Sequence, residues 1–138
     1  MSGPVLNLLF LGDVVGKGGR CAVRDLVPDL KREFNCQFVI VNAENCANGS
    51  GMTAACLKEM PGVDMFTSGD HTWDQKTFEQ EIRDVPNLVR PANFSSLQPG
   101  VGWRRLKNPA GGEVAVISLI GKVFMKDSAY CPFETVEN

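Results

Sequence analysis

Residues 5–12 read VLNLLFLG, an almost unbroken apolar run that suits a strand buried on both faces of a parallel sheet. The run stops at Asp13. Beyond it, Ala22, Val23, Leu26, Val27, Leu30 and Phe34 recur at helical spacing, while Arg24, Asp25, Asp29, Lys31, Arg32 and Glu33 occupy the rest of the circumference. This predicts an amphipathic helix, kinked or broken at Pro28 because proline has no amide hydrogen and crowds the preceding turn. Residues 38–41 form a second apolar strand that runs into Asn42-Ala43-Glu44-Asn45 and a Gly/Asn-rich loop reaching Gly51. Thr53 is placed to cap a short helix carrying Cys56, Leu57 and Met60, which Pro61-Gly62 ends. A third strand over residues 63–67 empties into Ser68-Gly69-Asp70-His71-Thr72-Trp73-Asp74, and Thr72 with Gln75 has capping-box spacing for a helix burying Phe78 and Ile82. After Pro91, residues 101–106 and 114–120 flank Asn108-Pro109-Ala110-Gly111-Gly112, the pattern of a β-hairpin with a long turn. The order predicts an α/β layered fold whose first three strands are parallel. There is no internal repeat and no low-complexity segment.

Composition narrows the class. With 138 residues, 43% of them hydrophobic, the chain can bury a single core and is expected to be one domain or part of one. Its 14 basic and 16 acidic residues leave a formal charge of −2, and no window holds a Lys/Arg cluster. Bulk nucleic-acid binding is therefore not expected, whereas a small phosphorylated ligand held by a metal is compatible. The five cysteines (Cys21, Cys36, Cys46, Cys56, Cys131) are odd in number and contain no C-x-x-C pair, so reduced, mostly buried thiols are expected. The N-terminus has no basic n-region, and its apolar run is too short for a signal segment or a membrane span. A cytoplasmic, non-membrane protein is the expectation.

Each of the first three strands ends in polar groups: Asp13 after the first, Glu44 and Asn45 after the second, Asp70 and His71 after the third. In a parallel sheet these ends share one edge, where open α/β sheets bind ligands. Three carboxylates converging there would repel one another, and a cation is the simplest way to hold them together. Oxygen donors with one imidazole suit manganese, iron or magnesium better than a structural zinc site. Each residue also has a plainer role open to it: Asp13 as a cap or turn residue ahead of Gly16, Gly18 and Gly19; Asp70 as a turn residue beside Gly69; His71, the single histidine, as a packed core residue. Glu44, close behind a buried strand, is harder to explain as surface decoration. Two glycine patterns compete. Gly16-Lys17 lacks the intervening residues and the Ser/Thr of a P-loop. Gly49-Ser50-Gly51-Met52-Thr53-Ala54 fits a loose G-x-G-x-x-A dinucleotide pattern, but it follows the second strand at a distance, and a flexible loop over the metal edge explains it as well.

The stretches GDVVGKGGR (12–20), NAENCANGSG (42–51), SGDHTWD (68–74), VPNLVRPANF (85–94) and VISLIGKVFM (116–125) occur in one order. Together they resemble the YmdB-like metallophosphoesterases of the calcineurin-like superfamily. The resemblance implies a four-layer α/β/β/α sandwich, a dinuclear iron or manganese centre, and hydrolysis of small phosphodiesters such as 2′,3′-cyclic nucleotides by a metal-bound hydroxide. It further implies that Asp13 and Asn45 are ligands of the first metal and that Glu44 bridges both. Asp70 falls where the family has an Asn ligand to the second metal, and His71 matches the proton donor. Asn45 and His71 would also contact substrate, while Thr72, Trp73 and Asp74 would hold the loop in shape.

Two departures qualify these implications. Asp70 keeps an oxygen ligand but adds a negative charge, which should tighten a cation and weaken attraction for phosphate. The family's remaining ligands are three histidines in C-terminal segments resembling DFHAEAT and GTHTHV, and the sequence reaches Asn138 without them. Residues 1–138 are therefore expected to be the N-terminal half of one metallophosphoesterase domain, an incomplete sandwich of parallel strands followed by a hairpin. Two divalent metals are expected in a complete enzyme and one or none in this chain, which would be impaired unless joined by a second copy or a complementing C-terminal half. The alternative is a catalytically defective regulatory or ligand-binding module using the same edge.

Overall fold

The computed structural model describes residues 5–108, 112–125 and 129–137. Four strands, β1 (Leu8–Leu11), β2 (Phe38–Asn42), β3 (Met65–Thr67) and β4 (Leu88–Val89), form a parallel sheet in sequential order. The connections carry α1 (Gly16–Glu33), α2 (Ala54–Lys58), a 3₁₀ turn (Asp70–Trp73), α3 (Phe78–Glu81) and a second 3₁₀ turn (Ile82–Asp84). β5 (Trp103–Lys107) and β6 (Glu113–Ile117) then make an antiparallel hairpin, and α4 (Pro132–Glu137) follows. The expected hairpin is present, and the part of its turn at 109–111 lies outside the described residues.

Side-chain alternation along the parallel strands assigns the two faces. Leu9, Leu11, Val39, Val41, Phe66 and Leu88 point to one side and pack with Val23 and Val27 of α1, Leu57 of α2, and Phe78 and Ile82. Ile40, Met65 and Val89 point to the other, where Leu106, Val114 and Val116 of the hairpin cover them. Each such side chain, when fully buried, contributes about 1.5–3 kcal/mol from apolar surface removed from water. Leu8 pairs with Phe38, Ile40 with Met65 and Phe66 with Leu88, and this register carries the C-terminal strand ends to a common edge.

Several expectations change. β1 is not buried on both faces: it is the outer strand, and Leu8 and Phe10 are 40% and 56% exposed because the hairpin stops short of them. The predicted apolar stripe of α1 is likewise only partly covered, with Val23 and Val27 buried but Ala22 and Leu26 exposed. Pro28 sits inside α1 without ending it. It lies on the exposed side, so the Arg24 carbonyl left without an intrahelical donor can turn to water. Thr53 caps α2 as expected, accepting from the Cys56 amide at 3.1 Å. The Thr72/Gln75 capping box does not form; Thr72 is buried and its hydroxyl lies 2.8 Å from Ser68 Oγ and 2.5 Å from the Gly69 carbonyl oxygen. β4 and α4 are additions to the expected elements, too short for their residues to show a period. Among the described residues there are three clear layers (helices, parallel sheet, hairpin), so the four-layer sandwich is not seen in full. All five cysteines are free, and burial pushes the Cys46 thiol up to about 12, where it is inert at neutral pH. No helix among the described residues is long and apolar enough to cross a membrane.

Candidate functional site

The edge where the parallel strands end is stitched together by backbone. Val14 donates to the Asn42 carbonyl at 3.0 Å, Gly16 to the Asn45 carbonyl at 2.9 Å, and Ala43 to the Thr67 carbonyl at 3.0 Å. These bonds bring the segments after β1, β2 and β3 side by side. Asp13 adopts a left-handed backbone, φ +49°, unusual for a residue with a side chain, and Asn45 Nδ2 donates to its Oδ1 at 2.7 Å. Asp13 is otherwise exposed.

Glu44 is placed differently. Its Oε1 accepts a long 3.4 Å bond from Asn42 Nδ2, while Oε2 is buried with no hydrogen-bond partner. The carboxylate lies directly over Gly69, where a Cβ would stand 2.8 Å from Glu44 Cδ and collide with its oxygens. A side chain at this position would push the carboxylate off its seat. Burial raises the Glu44 carboxyl above the usual range, opposed by a backbone hydrogen bond from His71 and the bond from Asn42; the nearby Asp70 charge raises it further.

Asp70 and His71 stand on the 3₁₀ turn after β3, anchored from behind by Ser68, whose amide donates to the Val89 carbonyl at 3.1 Å and whose carbonyl accepts from Ser118 Oγ at 2.6 Å. His71 Nε2 is 3.7 Å from Asp70 Oδ2. On its other side, His71 Nδ1 is 2.5 Å from Asp74 Oδ2 and 2.9 Å from Ser50 Oγ, and Ser50 also donates to Asp74. The Asp74 hydrogen bond holds the imidazole above its ordinary pKa against a smaller opposing effect of burial, with the Asp70 charge adding to the rise.

The five expected residues thus share one edge as two groups: Asp13 with Asn45, and Glu44 with the Asp70–His71 turn. Their oxygen donors match a hard divalent cation in kind, and Glu44 Oε2 is a buried donor with no hydrogen-bond partner. They do not match in number, because among the described residues no group of three or more His, Cys, Asp or Glu side chains is gathered closely enough to hold a metal. Sequence reasoning missed Gly69 as a cradle and Ser50 and Asp74 as partners of His71. The separation of three between His71 and Asp74 along a helical turn was the available signal for the last. The loop at Gly49–Gly51 is also not the loose cover expected, since Gln75 Nε2 donates to the Ser50 carbonyl at 2.8 Å and Gly51, at φ +76°, is buried against Asp74 and Gln75.

A family profile described as "YmdB-like protein" matches residues 9–138. The chain is 46% identical over 122 residues to the 2′,3′-cyclic-nucleotide 2′-phosphodiesterase of Bacillus subtilis (strain 168), an overlap covering 87% of this chain and 46% of that protein. In structure it is similar to a hypothetical protein from Thermus thermophilus, with a TM-score of 0.84, 32% identity, and coverage of 94% of this chain and 50% of the other. It is equally similar to a novel phosphatase from Mycoplasma pneumoniae, with a TM-score of 0.84, 31% identity, and coverage of 96% and 49%. The chain spans about half the length of these relatives.

Proposed function

This chain belongs to the YmdB-like protein family, and on that premise we propose that its strand-end edge is part of the site of a metal-dependent phosphodiesterase acting on small phosphodiesters such as 2′,3′-cyclic nucleotides. The observation that carries the proposal is the Glu44 oxygen buried without a partner above Gly69. A buried carboxylate oxygen without a hydrogen-bond partner costs the fold, and a cation at that edge would offset the cost.

Asp13 and Asn45 would hold one divalent metal and Asp70 a second, with Glu44 shared by the two, iron or manganese being the expected ions. When bound, such ions lower the pKa of water and polarise phosphoryl oxygens. The chain's own residues supply the rest. Asn45, with its amide aimed at the Asp13 carboxylate, and His71, with Nε2 turned toward Asp70, are the groups we assign to substrate contact. His71, whose pKa the Asp74 bond raises, would give its Nε2 proton to the departing oxygen. Asp70 adds negative charge beside that path, favouring cation over phosphate. By donor count the described residues hold one metal more readily than two, so slow turnover is expected of this chain by itself. We place the activity in the cytoplasm, on small molecules rather than bulk nucleic acid or membrane, with a second copy or a complementing half supplying further ligands.

A second reading, a ligand-binding or regulatory module that uses this edge without turnover, is favoured by the absence of a three-donor group among the described residues. Calorimetric titration with manganese, iron or magnesium, combined with a 2′,3′-cyclic-nucleotide hydrolysis assay, separates the readings. Saturable metal binding and hydrolysis, each weakened at least about tenfold by Glu44→Ala, support the enzyme. Binding of metal and nucleotide without turnover moves the assignment to the second reading. Failure to bind any of the three ions sinks the enzyme, and failure to bind the nucleotide as well sinks the second reading.

A further inference from the structure

Two side chains outside the five already assigned to the edge, Asp74 at the end of the His71 turn and Ser50 from the loop after β2, meet at one nitrogen of His71. Asp74 Oδ2 stands 2.5 Å from His71 Nδ1, and Ser50 Oγ stands 2.9 Å from the same atom while also donating to Asp74. Gln75 secures the arrangement by donating to the Ser50 carbonyl at 2.8 Å. Gly51 lets the loop lie flat against this segment, since a Cβ there would stand 2.9 Å from the Gln75 amide nitrogen.

Proton accounting fixes what this cluster does to the ring. Two acceptors 2.5 Å apart need a hydrogen between them, and an ionised carboxylate has none to give. The hydrogen must therefore sit on His71 Nδ1. Ser50, having given its own hydrogen to Asp74, can meet that ring hydrogen only as a secondary acceptor. The opposite nitrogen, Nε2, is left facing Asp70 at 3.7 Å, on the strand-end side of the ring. Which nitrogen of a histidine carries the proton is set by the bond the other makes.

We propose that Asp74, supported by Ser50, is the positioning residue of this site: it fixes His71 in the Nδ1–H form and orients the ring so that Nε2 is the working nitrogen. The proposal rests on the reading of His71 as proton donor. When Nε2 releases its proton to a departing oxygen, the ring remains as the neutral Nδ1–H form, the state whose remaining hydrogen already points at Asp74. The ring thus has no need to rotate or to move its other proton during the step. Ser50 and the glycines around it gain a purpose by the same account, since they hold Asp74 against the ring rather than covering a cofactor.

Because His71 is the single histidine of the chain, its ring nitrogens give one unambiguous set of long-range ¹H–¹⁵N correlations. The measurement is made on metal-free, ¹⁵N-labelled protein at a pH where the ring is neutral. The wild type is expected to show a protonated, pyrrole-type Nδ1 and a bare, pyridine-type Nε2, and Ser50→Ala is expected to keep that pattern. Asp74→Ala is expected to shift the ratio of the two forms toward Nε2–H by at least about tenfold, the scale of one hydrogen bond to a charged group. If Asp74→Ala does not fold, Asp74→Ser, whose hydroxyl falls short of the ring, carries the same expectation. A wild-type ring protonated at Nε2, or a ratio unmoved by loss of Asp74, overturns the proposal. Neither result depends on metal or turnover, so failure of the phosphodiesterase reading and failure of the clamp remain separate outcomes.

Discussion

Asp13 and Glu44 stand at the ends of neighbouring strands and carry the same functional group, yet the fold bears a different cost for each. Asp13 keeps its carboxylate in solvent with an amide partner, Asn45, and the cost lies in its backbone, held at φ +49°. Glu44 follows an ordinary strand end, and the cost lies in its side chain, drawn over Gly69 with one oxygen buried and unpartnered. The bonds from Asn45 to Asp13, and from Asn42 and the His71 backbone to Glu44, offset these costs only in part, and strain of this kind gathers where a site needs a group in a particular place. Backbone strain and desolvation are independent, so their meeting at one edge is a stronger sign of a ligand than either alone.

The sharpest way to break this contrast is Gly69→Ala. The added methyl must displace the Glu44 carboxylate, the far end of a flexible side chain, so the fold should tolerate it while manganese affinity falls at least about tenfold. Titration calorimetry reads that loss, and unchanged affinity would mean that Gly69 does not position the carboxylate. Glu44→Gln should show its effect in stability instead. Burial raises the folded pKa of Glu44 above its unfolded value, so its contribution to stability is full below the unfolded pKa and lost as pH rises through the folded one. In metal-free protein the Gln variant should therefore melt higher than wild type at neutral pH and converge with it in acid. Parallel pH profiles would show that the buried carboxylate carries no penalty. The smallest effect belongs to Asp13→Gly, which relieves the left-handed strain while freeing the unfolded chain, for a net change within about 1 kcal/mol and in the stabilising direction. Thermal melts would register it. A clear destabilisation would show that the Asn45 bond outweighs the strain.

The residue pattern made much of the edge legible in advance. Apolar runs ending in Asp13, Glu44 and Asp70 located the strands, and the parallel order placed their ends together, because alternation and strand direction follow from short-range sequence. Even so, the uninterrupted hydrophobicity of residues 5–12 overstated the burial of β1. A run of apolar side chains says that a strand tolerates cover on two faces, not that a second layer reaches it. Thr72 and Gln75 carried the letters of a capping box, but Thr72 is drawn into the core by Ser68 and Gly69, and that local motif gives way.

What the sequence determined by itself was the set of elements, the face each apolar side chain takes, and the acidic and imidazole groups at the strand ends. Tertiary structure alone decided which of those groups touch. Ser50 reaches His71 across 21 positions, and Asn45 reaches Asp13 across 32. Glu44 comes to rest on Gly69 through the β2–β3 register, which sets Asn42 beside Thr67. Such contacts depend on strand register and loop path, which no local pattern encodes. For the same reason four candidate ligands and a proton donor, counted along the chain, become in space two groups on one edge.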